Sequence, residues 1–292
     1  MSEMTKTPSR PLLNLLIAHM PEAKPLLSQF ALAEVARTPS PVFANDEGIY
    51  LTVTGNGTDA MTTAIEALAS WQGDHVAPAW LNIGIAGHGS AEVGSGFLIN
   101  KINDALSGNA QFPTPGATGL PVSALYTVAE IERSYPQAAA YDMEGSAFWE
   151  AASSYGQLDQ IQLFKIVSDN PQQHVDEFKI SAVAELLGGQ QAELATLVAA
   201  MHSAASEHVR VHELPREYAG LIDRYHFTAT QRVQLEKLLR RWMAFDRPRS
   251  FSLVLDDFLK AEMPLDVSKR GGAIIERLDS ELRNIESAIV LD

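Results

Sequence analysis

Over the first two thirds of the chain, short, mostly apolar runs alternate with stretches whose apolar residues return every three or four positions. Runs of the first kind are Leu12–Ala18, Ile49–Val53, Leu81–Gly87, Phe97–Ile102, Val122–Tyr126, Ala138–Tyr141 and Ile161–Val167. They are too short for buried helices and read as strands covered on both faces. Between them, Pro21 opens a helix with Leu26, Leu27 and Phe30 on one face, a second runs through Ala60, Ile65 and Leu68, and a third follows Glu144 through Ala147, Phe148 and Ala151. Strands alternating with helices predict an α/β unit. Near 205–215 the pattern changes. Helices are predicted at 215–226, 229–245, 251–260 and 271–289, with apolar stripes Leu235–Leu238–Leu239–Trp242 and Ile274–Leu278–Leu282–Ile285–Ile289 and no convincing strand. The expected division is an α/β unit over 11–205 and an all-helical one over 212–292.

The charge distribution changes at the same place. Residues 1–200 carry 8 Lys+Arg against 21 Asp+Glu, whereas 201–292 carry 14 against 15, within a total of -14. That balance argues against general nucleic-acid binding. The basic residues of the predicted 229–245 helix and its neighbourhood, Arg232, Lys237, Arg240, Arg241, Arg247 and Arg249, read as a solvated face. With no cysteine there are no disulfides, thiolate metal sites or cysteine nucleophile. No apolar run has the length of a membrane span and no signal peptide opens the chain, so the expected location is the cytoplasm. His208 and His212 share ligand spacing but lack an evident third ligand, and no metal or cofactor is expected.

The chemistry-bearing residues fall at strand ends. Asp169 closes the run 161–167, and in open α/β sheets ligand sites gather at the carboxyl ends of strands. Glu144 stands at the head of the third helix. Each has a structural alternative: Glu144 suits a helix N-terminus, and Asp169 would cap a following helix. Glu22, in the loop after the first strand, also suits a helix dipole. Gly55 and Gly57 make a tight strand-to-helix turn, and Ala86 and Gly87 end their strand in small residues, fitting either a flat ligand or a packed helix.

In order, EAKPL (22–26), TGNG (54–57), NIGIAG (82–87), VGSG (93–96), YDMEG (141–145) and KIVSDN (165–170) resemble the purine nucleoside phosphorylase superfamily, nearest its methylthioadenosine/S-adenosylhomocysteine nucleosidase branch. The resemblance covers about 11–200 and stops before the helical extension. It implies a three-layer fold with a central mixed sheet flanked by helices. It also implies that Asp169 protonates the departing purine, Glu144 holds the ribose hydroxyls, Glu22 orients water, Met143 packs on the sugar, and Ala86, Gly87 and Ser168 line the pocket. The expected partner is a small nucleoside, and the expected assembly a homodimer.

The residue types suit that reaction. N-glycosidic cleavage passes through an oxocarbenium-like sugar and needs an acid on the leaving base and a base on the nucleophile. A water-exposed carboxylic acid is ionised at neutral pH, so an acid role calls for a buried or hydrogen-bonded setting, which the apolar strand before Asp169 supplies. Two carboxylate oxygens on Glu144 match two adjacent hydroxyls. Water is favoured over phosphate as nucleophile, because Arg37 and Arg133 are the only arginines in 11–200 and Glu22 would repel a phosphate. Lys24 and Lys101 sustain a phosphorylase alternative. A non-catalytic nucleoside-binding module is the other, and it would require a damaged Glu144 or Asp169.

Overall fold

The computed structural model describes residues 10–73, 78–116, 118–212, 214–215, 217–244, 256 and 269–289. The chain divides into two compact units, Met1–Ser206 and Glu207–Asp292. All of the predicted helix 251–260 except Asp256, the end of the predicted 229–245 helix and the side chain of Ile289 lie outside the described residues.

The first unit is built on one mixed sheet. Its strands are β1 (Leu13–Ile17), β2 (Ala33–Thr38), β3 (Ser40–Ala44), β4 (Ile49–Val53), β5 (Ala79–His88), β6 (Gly96–Asp104), β7 (Ala110–Gln111), β8 (Val122–Thr127), β9 (Ala140–Asp142) and β10 (Ile161–Asp169). The spatial order is β10-β6-β8-β9-β5-β1-β4-β3-β2, with β7 on β6. β10 pairs with β6 antiparallel and with β5 in parallel, so β5, β9, β8, β6 and β10 close into a ring from which β1 to β4 extend. β1 and β10 are buried along their whole length, in keeping with their mostly apolar sequences. Asn14, the polar residue inside β1, exchanges amide hydrogen bonds with Gln72 at 2.8 and 3.1 Å, which makes its burial tolerable.

Helices α1 (Met20–Gln29), α2 (Thr58–Gln72), α3 (Gly145–Ala152), α4 (Val183–Gly189) and α5 (Gln191–His212) flank the sheet. One apolar layer joins β1 and β5 to α1, α4 and α5 through Leu15, Ile83, Leu26, Leu187 and Leu197. The other joins them to α2 and α3 through Leu16, Trp80, Ile65 and Phe148. Gly55 and Gly57 have φ of +89° and +84°, which lets β4 turn sharply into α2.

In the second unit, α6 (Glu217–Arg224), α7 (Ala229–Ala244) and α8 (Arg270–Ile289) bury Leu221, Leu235, Leu239, Trp242, Ile274, Leu278 and Leu282 in one core. The two stripes seen in the sequence pack on each other. His208 and His212 stack at 4.0 Å, and among the described residues no group of three or more His, Asp or Glu could hold a metal ion. No described helix is long and apolar enough to cross a membrane.

Candidate active site

A cavity of about 260 Å³ opens at the carboxyl ends of β1, β5 and β10. Glu22, Glu144, Met143, Gly87, Ser168 and Asp169 all line it, together with Ala18, His19, Asn56 and Ile85. Val128, Ile131, Val175, Phe178 and Ile180, from two connecting segments, add apolar wall, and Glu132, Tyr141 and Asp142 also line the cavity. Ala86 does not line it. Alternation along β5 sends Ile85 and Gly87 to the cavity and turns Ala86 into the core layer on the opposite face, where it is buried with Leu16 and Trp80.

Ser168 and Asp169 are consecutive yet both reach the cavity, because the β10–β5 register slips between Val167 and Asp169. Such an irregularity re-aims side chains that strict alternation would separate. The VGSG motif braces this point from behind: Gly94 N donates to Val167 O at 2.8 Å and Val167 N donates to Ser95 O at 2.9 Å. Asp169 is 5% exposed. Its Oδ1 accepts from Ser168 Oγ at 2.5 Å and its Oδ2 from Tyr135 Oη at 2.6 Å. It caps no helix. The turn after β10 is organised instead by Asn170, whose Oδ1 accepts from Gln172 N and Gln173 N. Gly87 makes room for the acid, since a Cβ there would stand 2.7 Å from Asp169 Oδ2.

Glu144 precedes α3, but its carboxylate makes no capping bond and turns to Lys165 Nζ at 3.4 Å. Lys165 is 1% exposed and lies 2.8 Å from Asp142 Oδ2, while Asp142 Oδ1 accepts from Thr127 Oγ1 at 2.9 Å. β9 and β10 both flank β5, and this brings the motif at 141–145 onto the strand at 161–169. Burial disfavours the Lys165 charge, but Asp142 and then Glu144 more than offset it and hold the ammonium above the usual lysine range. Burial is also the chief influence on Glu144 and pushes it up. Lys165 pulls it back, Asp142 and Glu22 push it further up, and the carboxyl comes to about 7.

Glu22 is fixed by the backbone. Its Oε2 accepts from His19 N at 2.9 Å, the helix-start bond of α1, and its Oε1 accepts from Ile85 N at 3.2 Å across on β5. Its Oε1, Lys165 Nζ and Glu144 Oε1 all converge on Gly84, at 3.5, 3.6 and 3.9 Å from the position a Cβ would take there. Among the described residues lining the cavity none is Lys or Arg. Lys24 is exposed on α1, Lys101 stands 6.0 Å from the Phe112 ring, and Arg37 and Arg133 pair with Glu34 and Asp176 on the surface. His88, to which the sequence assigns no role, is a buried corner: its Nδ1 accepts from Ser90 N and Ala91 N, and burial holds it below the usual histidine range.

The sequence reading missed Lys165, Asp142, Tyr135, Asn56 and the two apolar loops. Lys165 and Asp142 sit inside quoted motifs, and a charged residue within an otherwise apolar strand run was the available signal.

No family model and no curated protein matches the sequence. Solved structures do match the fold. A 5'-methylthioadenosine nucleosidase from Arabidopsis thaliana in apo form is 16% identical with a TM-score of 0.55, covering 66% of this chain and 96% of its own. The 5'-methylthioadenosine/S-adenosylhomocysteine nucleosidase of S. pneumoniae, with the transition-state inhibitor MT-ImmA, is 16% identical at 0.51, over 65% and 98%. The corresponding nucleosidase from Colwellia psychrerythraea, in complex with adenine, is 16% identical at 0.50, over 66% and 98%. The chain thus has the nucleoside phosphorylase-like fold, a mixed sheet flanked by helices, followed by further helices.

Proposed function

We propose that the first unit is a nucleosidase that cleaves the N-glycosidic bond of a purine-type ribonucleoside with water as nucleophile. One observation carries the proposal: four buried carboxylates, Glu22, Asp142, Glu144 and Asp169, meet in one cavity whose described lining includes no Lys or Arg. Asp169, clamped through both oxygens, gives its proton to the base nitrogen as the C1′–N bond breaks and the bonding pair leaves with the base. Glu144 accepts from the ribose hydroxyls. Lys165 keeps that carboxylate in place, and Met143 packs on the sugar. Glu22, held by two backbone amides, takes a proton from the water that attacks C1′. A phosphate dianion would meet carboxylates here without an Arg fork or a free ammonium, which favours hydrolysis over phosphorolysis.

The likeness to nucleosidase folds supports this reading, and an apolar wall from Val128, Ile131, Val175, Phe178 and Ile180 suits a base and an uncharged 5′ group. The test is a panel of purine nucleosides incubated with and without phosphate and resolved by chromatography. Free base with free ribose at an unchanged rate in phosphate-free buffer is expected. Ribose 1-phosphate as the product would replace the hydrolase by a phosphorylase, and tight nucleoside binding without turnover would leave a binding module.

A further inference from the structure

Tyr135 combines features that no other residue in the described structure shares. It is a bulky aromatic, 6% exposed, with φ of +46°, and it directly precedes Pro136. Side chains of this kind avoid the left-handed region, and a residue before proline is normally extended. The other non-glycine residue with positive φ, Ala31, is exposed at the end of α1. A strained, buried residue beside a candidate site calls for a functional explanation.

Its surroundings indicate what the strain achieves. The ring lies against Gly87, where its Cε1 is 3.0 Å from the position of an added Cβ, and it packs edge-on to Tyr141 and His174 at 6.3 and 5.9 Å. Tyr141 Oη in turn accepts from Gln137 N at 2.8 Å, pinning the turn that carries Tyr135. The hydroxyl donates to Asp169 Oδ2 at 2.6 Å, yet Tyr135 is absent from the cavity lining, which includes Gly87, Ser168 and Asp169. The contact therefore backs the carboxyl from outside the cavity. Burial first, and the bond to Asp169 next, hold the Tyr135 hydroxyl above the usual tyrosine range, so it remains a donor at neutral pH.

We infer that Tyr135 is a positioning residue for the proton transfer, fixing the carboxyl plane of Asp169 from behind while Ser168 holds the other oxygen. The inference rests on the nucleosidase reading above. As the C1′–N bond breaks, the base nitrogen takes the proton and Asp169 is left as a carboxylate. The Tyr135 proton does not move. Its hydrogen bond becomes charge-assisted as the charge on Oδ2 grows, so the contact strengthens along the reaction and acts on kcat rather than on substrate binding.

Tyr135→Phe keeps the ring and removes the hydroxyl. Two substrates separate a positioning role from a packing role: a purine ribonucleoside, whose base must be protonated to leave, and 4-nitrophenyl β-D-ribofuranoside, whose phenolate leaves without an acid. The expected result is a kcat on the nucleoside reduced about 10- to 100-fold, the range for losing a hydrogen bond to a charged group, with KM within about twofold. On the aryl riboside the loss is below about threefold. The ratio of the two rates is read on one preparation, so a reduced folded fraction scales both and leaves the ratio unchanged. Equal losses on both substrates, no loss on either, or a loss confined to the KM for the nucleoside would each overturn the inference and leave the nucleosidase reading standing. A wild-type protein that cleaves neither substrate overturns both.

Discussion

Glu144→Gln tests the electrostatics of the site without any substrate. The ordinary glutamate value is 4.5 and Glu144 comes to about 7, with burial as the main cause. A group whose value rises on folding favours the folded state fully below its unfolded value, and that contribution disappears as pH climbs through the folded value. Glu144 therefore costs the first unit increasing stability between about pH 4.5 and somewhat above 7. At about 1.4 kcal/mol per decade of pH, the total is about 3 kcal/mol. Glutamine is nearly isosteric and does not titrate, while Lys165 keeps Asp142 at 2.8 Å. Urea unfolding at a series of pH values from 5 to 8.5, followed by tryptophan fluorescence, measures the difference. Trp71, Trp80 and Trp149, three of the four tryptophans, lie in the first unit. The stability of the variant relative to wild type is expected to rise by about 2–3 kcal/mol across that range, with m unchanged. Titrating groups that do not interact with Glu144 cancel in the comparison. A difference constant to within about 0.5 kcal/mol would refute the account of Glu144 as a buried acid raised by desolvation.

Asp169→Asn is expected to lower kcat by about 10²–10⁴-fold while substrate still binds, because the amide can hydrogen-bond the base but has no proton to give; steady-state kinetics on the folded variant checks it. Glu144→Gln should also weaken kcat/KM more for ribonucleosides than for 2′-deoxyribonucleosides, and equal losses would mean that Glu144 does not read the 2′-hydroxyl. Gly87→Ala puts a methyl 2.7 Å from Asp169 Oδ2 and 3.0 Å from Tyr135 Cε1, and so should cost activity at least about tenfold with little effect on cooperative unfolding. A chain ending at Ser206 keeps every strand of the sheet, and its far-ultraviolet circular dichroism and nucleoside turnover should match those of the first unit in the full chain; loss of turnover in a folded truncated protein would show that the helical unit contributes to the site or its assembly.

The strands that carry the site were the legible part of the fold, since β1, β4, β5 and β10 are mostly apolar runs buried along most of their length. β2 and β3 were not read from the sequence. β2 is an edge strand whose residues, Ala33 to Thr38, are mostly exposed, so it carries no run and little alternation. Glu22, Glu144 and Asp169 were legible because a carboxylate next to an apolar run or at a helix start stands out locally. Lys165 was not, since its partners lie more than twenty residues away and only the placement of β9 and β10 on either side of β5 brings them together. Ala86 was misassigned because a run of small residues does not reveal which of them faces the cavity, whereas strand alternation does.

The ring made by β5, β9, β8, β6 and β10 has a bearing on how the protein adapts. A strand hydrogen-bonded on both sides cannot slide or peel away without breaking two ladders, so the floor that carries Asp169 and Gly87 is expected to exchange its amides slowly. The apolar wall comes from connecting segments rather than from strands of the ring. Val128 and Ile131 come from one connection, and Val175, Phe178 and Ile180 from another. On the nucleosidase reading proposed above, proton transfer and base recognition would fall to parts of different mechanical character, and wall residues could be exchanged for new substrates while the carboxylates keep their geometry.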